Sequence, residues 1–281
     1  MSNRPALSFI IPFAPKKRKK DWSSACLHLN ETLQSILNST NPNFTVVVVS
    51  HDDPGFDFGS DERISLLKVD YPLPEHKNSS TAPKLDKLHK IHAGWNYLKS
   101  QNHPRYVMKL DADDFISCKM VDWVDRFATD PGYLIRHGWI WKSGEKHFIQ
   151  KTESLDRICG SCLIIRNDLA DIEGPFLTEV EGHTLDAESS KYAAADHYSI
   201  VPGSGITSLI LNDSHQRYES QFRHLGYQLF TFPFHAVVYR DGNLDSIGLG
   251  NRHKETLRMH LGKIRRTRLL TNKLRIEYKI Y

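Results

Sequence analysis

Three carboxylates crowd into four residues at Asp111-Ala112-Asp113-Asp114, directly after the apolar run Tyr106 to Leu110. Like charges this close repel unless a cation or hydrogen-bond donors compensate them. Mg²⁺ and Mn²⁺ are hard ions that take oxygen ligands and keep positions open for substrate phosphates. Asp111 and Asp113, joined by a nucleoside diphosphate, would therefore complete a divalent site. An acidic turn that caps a helix is the other reading of the same residues.

Further along, Asp213 and His215 stand two residues apart, and a carboxylate or a neutral imidazole can take a proton from a hydroxyl near neutral pH. Each could equally be a helix-start residue. Lys87 and Arg240 could offset the charge of a diphosphate, the first as a point charge and the second through its planar fork of donors. Trp139 and Trp141 alternate so that both fall on one face of a strand-like segment, where they would stack on a sugar or pack in the core. His183, Asp186, Glu188 and His197 lie in a polar stretch that reads as an acceptor loop or a solvated face. Cys159 and Cys162 open an apolar strand, not a helix, so they read as packed thiols and not as a redox pair.

The elements that must position these residues follow from periodicity. Ala6 to Phe13 is a short apolar run stopped by proline, and a basic loop at Lys16 to Lys20 follows it. Ser23 to Asn38 then repeats at helical spacing through Cys26, Leu29, Leu33, Ile36 and Leu37. Phe44 to Val49 is continuous and β-branched, as in a strand covered on both faces, and it breaks into the polar turn Ser50 to Gly55. Ile64 to Val69 reads as a strand, Leu85 to Leu98 as a helix and Tyr106 to Leu110 as a strand. This order predicts an α/β sheet, with the two acidic turns at carboxyl ends of strands and facing one cleft. In the second half, Tyr133 to Trp141 and Ser161 to Arg166 read as strands and Gly205 to His224 as helical.

With 281 residues, the chain is long enough to bury a substantial core, and 40% hydrophobic with 25% charged residues is the balance of a folded protein. No run approaches the length of a spanning helix or a signal-peptide core, and four cysteines without a completed zinc pattern read as reduced thiols, so a cytoplasmic protein is expected. The net charge of +4 hides an asymmetry. Residues 252–281 hold ten Lys or Arg against two Glu, a surplus of +8 that leaves −4 for the rest. Leu257, Leu261 and Ile264 give this tail the spacing of a basic amphipathic helix, which would suit peripheral contact with an anionic membrane.

The acidic turn resembles the Asp-x-Asp motif of GT-A glycosyltransferases, in particular glycosyltransferase family 2. Leu7 to Phe13 is similar to the family's first strand with its Ile-Pro ending. Ser50 to Pro54 is similar to its acidic turn after the second strand. Asn212 to Arg240 follows its plan of an acidic pair, a helix, a Gly-Tyr turn and a strand. The likeness is greatest to a bacterial branch with Leu85-Asp86-Lys87, Cys159-Gly160 and Tyr239-Arg240, and it spans about residues 6–250.

The resemblance implies a GT-A (nucleotide-diphospho-sugar transferase, Rossmann-like) fold, a three-layer α/β/α sandwich with a central mixed, mostly parallel sheet. It implies a catalytic domain at 1–250, with a nucleotide-binding half at about 1–115, an acceptor half at about 116–250, and a basic helical tail at 251–281. The implied activity is inverting transfer of a sugar from a UDP-linked donor to a glycan or lipid-linked acceptor, with Mn²⁺ or Mg²⁺ on Asp111 and Asp113. Pro12, Phe13, Asp52, Asp86, Lys87, Asp111, Ala112 and Arg240 would contact the nucleotide sugar. The family's usual base is the Asp of a Glu-Asp pair, and counting back from Gly226 puts His215 there, with Asp213 two residues earlier. A nucleotidyltransferase shares the same chemistry, but the Lys16 to Lys20 loop lacks its glycines. A basic nucleic-acid-binding protein would account for the tail and not for the acidic turn, so no nucleic acid is expected.

Overall fold

The computed structural model describes residues 4–55, 61–73, 81–101, 103–172, 209–212, 215, 217–242 and 265–281. Strand β1 (Leu7–Pro12) leads through helix α1 (Trp22–Leu37) to β2 (Phe44–Ser50), β3 (Ile64–Lys68), α2 (Thr81–Gln101) and β4 (Tyr106–Lys109). Residues of both parities in β1 and β2 are buried, as expected for apolar strands covered on both faces. The Asp21 side chain accepts from the Ser24 amide at 2.9 Å and so starts α1 at its N-cap. Helix α2 crosses the sheet face that carries Ile10, Val47 and Val49. It comes so close that a Cβ on Gly94 would lie 2.7 Å from the Ile10 side chain.

The resulting seven-stranded sheet has the order β10-β6-β9-β4-β1-β2-β3, with β6 (Gly132–Leu134), β9 (Leu163–Arg166) and β10 (Phe230–Thr231) on the far side of β4. Strands β3, β2, β1 and β4 are mutually parallel, and β9 is antiparallel to both β4 and β6. This is the mixed α/β fold with a central, mostly parallel sheet that the sequence predicts. Because β1 has β2 on one side and β4 on the other, the chain reverses its direction of winding there. A crevice opens at such a point beyond the carboxyl ends of the strands.

A five-stranded sheet stands beside the first. Its order is β12 (Thr267–Leu269), β8 (Phe148–Thr152), β7 (Gly138–Lys142), β11 (Val237–Asp241) and β5 (Phe115–Ile116). Further α-helices are α3 (Met120–Phe127), α4 (Asn167–Ala170), α5 (Tyr218–His224) and α6 (Asn272–Tyr278). The apolar residues form one large core around the first sheet and a smaller one of Phe115, Trp141, Ile149, Val238, Leu270, Tyr278 and Ile280 around the second.

Three expectations change. Tyr133 to Trp141 is not one strand: β6 joins the first sheet and β7 the second, with the break at Ile135–His137, where the Ile135 amide turns to the Cys162 carbonyl at 2.7 Å. Among the described residues of 205–224, only Tyr218–His224 is α-helical, with a 3₁₀ turn at Ile210–Asn212. The expected tail helix lies mostly outside the described residues; within them Arg265, Arg266 and Asn272–Tyr278 are helical, and Thr267–Leu269 is strand paired with β8. Beyond it, Tyr278 and Ile280 are buried in the second core. Among the described residues, no helix is long and apolar enough to cross a membrane.

Candidate active site

The acidic turn leaves β4 at the switch point and enters β5, so its ends belong to different sheets. Its three carboxylates meet three different surroundings. Asp114 is sealed: its Oδ2 accepts from Ser161 Oγ at 2.6 Å and Cys159 Sγ at 3.1 Å, and its Oδ1 from the Arg240 amide at 3.2 Å. Burial, and then the charges of Asp113 and Asp111, push its pKa up to about 8 against the pull of the Ser161 and Cys159 donors. Asp114 is thus a strut of the turn.

Asp111 is partly exposed and ion-paired to Lys87, with Nζ 2.5 Å from Oδ1. Burial alone would raise its pKa, but Lys87, then Lys109 and His215, hold it below the usual carboxylate value. Its amide donates to Ser161 Oγ at 2.9 Å, so one hydroxyl bridges Asp111 and Asp114. Gly160 lies against this pair: a Cβ there would sit 3.1 Å from Asp111 Oδ2 and 3.5 Å from Lys87 Nζ. Asp113 and Ala112 occupy the partly buried crest of the turn.

His215 comes from the segment before α5, and its Nδ1 lies 2.6 Å from the Asp156 carbonyl. A carbonyl only accepts, so Nδ1 carries the proton and the neutral ring keeps a lone pair on Nε2. Burial lowers the His215 pKa, and Lys109 and Lys87 lower it further against Asp111. These same electrostatic couplings put His215 in the neighbourhood of Lys87, Lys109 and Asp111. Asp213 and the cluster at His183, Asp186, Glu188 and His197 lie outside the described residues.

Around the ends of β1 and β2, a second polar network forms. Lys90, only 1% exposed, donates to Asp86 Oδ2 at 2.8 Å and to the Phe13 carbonyl at 2.7 Å. The Tyr71 hydroxyl reaches Asp86 at 3.4 Å, and His51 Nδ1 stands 3.8 Å away. Asp86 therefore fixes the end of β1 through Lys90. Its carboxylate is sealed within this network. Phe13 is buried against Trp22, Pro12 is partly buried at the strand end, and the Asp52 carboxylate accepts the Lys16 amide at 2.7 Å, which anchors the basic loop.

Arg240 and Trp141 have partners of their own. Arg240 is buried. Its guanidinium lies over Phe115 and Trp141, bonds Glu31 at 2.6 Å and holds the Asp113 carbonyl at 3.1 Å. Trp141 is buried, with Nε1 on the Glu145 carbonyl at 2.8 Å, and offers a sugar no open face. Trp139 is partly buried and stacks near His235, 4.9 Å between ring centres.

Among the described residues, no three His, Cys, Asp or Glu side chains converge as a complete metal cage. Two neighbouring carboxylates with partial exposure nevertheless fit a hard ion that takes its remaining oxygens from water and phosphate. Ser161, Lys90, Lys109 and Glu31 escaped the sequence reading. Only Lys90 left a signal there, four residues beyond Asp86 on a helix.

No protein-family model matches the chain, and no curated protein matches it either. Among solved structures, the chain is similar to the crystal structure of S. aureus TarS 1-349, with 14% identity and a TM-score of 0.43, over 83% of this chain and 60% of that one. It thus spans less than two thirds of that chain's length.

Proposed function

We propose that this protein is a glycosyltransferase that moves a sugar from a nucleoside-diphosphate donor, UDP-linked by preference, to a hydroxyl of a glycan or lipid-linked acceptor. The observation that carries the reading is the placement of Asp111 and Asp113 at the switch point of a mostly parallel sheet, with Lys87 paired to Asp111 and His215 acting electrostatically on Asp111. In this reading Asp111 and Asp113 would hold Mn²⁺ or Mg²⁺. When bound, such an ion offsets the charge that develops on the departing diphosphate.

The chain's own groups supply the rest. His215 Nε2 takes the proton of the acceptor hydroxyl as its oxygen attacks the anomeric carbon, and Nδ1 stays oriented by the Asp156 carbonyl. Lys87 and Lys109 add positive potential beside the diphosphate. Ser161 and Arg240 keep the turn in shape, so that its carboxylates need not reorganise during the reaction. The family resemblance implies inversion at the anomeric carbon.

Calorimetric titration of UDP and GDP with and without Mn²⁺, on the protein and on Asp113→Ala, tests the reading. Metal-dependent diphosphate binding that the substitution abolishes is the expected result. Absence of binding to either diphosphate with metal present would overturn it.

A further inference from the structure

Helix α2 contributes a lysine to each of two lysine–aspartate pairs, one within the helix and one with the acidic turn, and they differ in kind. Lys90 and Asp86 are 1% and 4% exposed at the side chain, and Lys90 is also tied to the Phe13 carbonyl. That pair is sealed into the end of β1. Lys87 and Asp111 are 33% and 28% exposed, and they meet at 2.5 Å on the open side of the turn. A partly hydrated pair of this kind can exchange partners, whereas breaking the sealed one would leave an uncompensated buried charge.

An ammonium on Asp111 competes with any other cation for that carboxylate. A divalent ion arriving alone must displace Lys87 and leave its charge close to the new ion, with Lys109 also acting on Asp111. An ion arriving with a diphosphate brings the anion that the displaced ammonium can pair with. We propose that Lys87 is the resident counter-ion of the acidic turn and makes metal binding conditional on nucleotide binding: it occupies Asp111 until a diphosphate takes it over. This rests on the proposed divalent site at Asp111 and Asp113 and specifies how that site is loaded. The two ligands are then thermodynamically coupled, each raising the affinity for the other. Gly160 supports the arrangement, because it leaves clearance beside Asp111 Oδ2 and Lys87 Nζ that a larger residue would fill.

The test measures Mn²⁺ binding by the electron paramagnetic resonance of the free ion, with and without UDP, on the full chain and on Lys87→Gln and Lys87→Arg. In the unsubstituted protein, Mn²⁺ alone should bind at least about tenfold more weakly than Mn²⁺ with saturating UDP. Lys87→Gln should bind Mn²⁺ alone about tenfold more tightly than the unsubstituted protein and lose most of the gain from UDP. Lys87→Arg keeps a cation and should retain the coupling, which separates loss of charge from loss of fold. If Mn²⁺ binds with UDP but Lys87→Gln gains nothing for Mn²⁺ alone, the counter-ion role is overturned and the divalent site stands. If neither Mn²⁺ nor UDP binds any of the three proteins, both ideas fall.

Discussion

Ser161 donates its hydroxyl proton to the Asp114 carboxylate across 2.6 Å, in a place where neither side chain reaches solvent. The same oxygen accepts the Asp111 amide, so two positions of the turn depend on one buried hydroxyl. Ser161→Ala leaves a buried carboxyl and a backbone donor short of a partner, and should cost about 1–3 kcal/mol. Urea unfolding of the two proteins measures it, and an unchanged midpoint would contradict the bridging role.

Arg240 gives a prediction that separates a strut from a phosphate clamp. Arg240→Met removes the bonds to Glu31 and to the Asp113 carbonyl. Since Glu31 is more than a third exposed, the loss should be about 2–3 kcal/mol, below that of a fully sealed pair. At a temperature where the variant is fully folded, UDP affinity in the presence of Mn²⁺ should fall far less than in Lys87→Gln.

The imidazole of His215 should set the acid limb of activity. Its folded pKa lies below the ordinary value of 6.5, chiefly through burial, so the base stays unprotonated through neutral pH and is lost only further down. The kcat/KM profile should therefore bend below pH 6.5. His215→Asn should lower kcat by about 10²–10⁴-fold and remove the bend.

Stability should carry its own pH signature. His28, His89, His92, His215 and His235 all titrate below 6.5 in the folded protein, each chiefly through burial. The unfolded chain binds more protons at these sites once pH drops under 6.5, so stability is present above that value and declines beneath it. Asp114 has the opposite sign. Its folded pKa is raised to about 8, so it favours the folded state more as pH falls from 8 toward the ordinary value of 3.8. In Asp114→Asn that opposing contribution is gone, and Tm should fall more steeply between pH 6.5 and 5 than in the unsubstituted protein.

Residues at the far end of the chain bear on the turn as well. Glu277 accepts from Ser117 Oγ at 2.6 Å and Lys119 Nζ at 2.8 Å, just past β5. Tyr278 fills the second core and donates to the His235 carbonyl. Tyr278→Ala should cost about 3–5 kcal/mol, as truncation of a fully buried aromatic ring does. Chemical denaturation provides the check.

The first half of the fold was legible because its signals are local. A continuous β-branched run such as Val46–Val49 has few options, and the apolar stripe from Cys26 to Ile36 repeats only as a helix does. Thr267–Leu269 is different: the strand exists because β8 offers it an edge, and nothing in the basic spacing of the tail encodes that partner. The stretch from Tyr133 to Trp141 looks uniform in composition, yet the Cys162 carbonyl breaks it by capturing the Ile135 amide. At the site, Asp111 and Asp113 announced themselves by crowding. The duties of Arg240 and Asp86 did not, since a charged residue reads alike whether it faces a crevice or is sealed against Glu31 or Lys90. Those partners come from contacts that the linear pattern does not contain.

Strand β4 ends in one sheet and β5 begins in the other, with Asp111–Asp114 between them. The four residues are therefore a covalent link from the first sheet to the second. The turn is braced from both sides, by Ser161 beside β9 of the first sheet and by Arg240 on β11 of the second. A ligand held at the turn should therefore slow hydrogen exchange at the Arg240 amide of β11, which donates to Asp114.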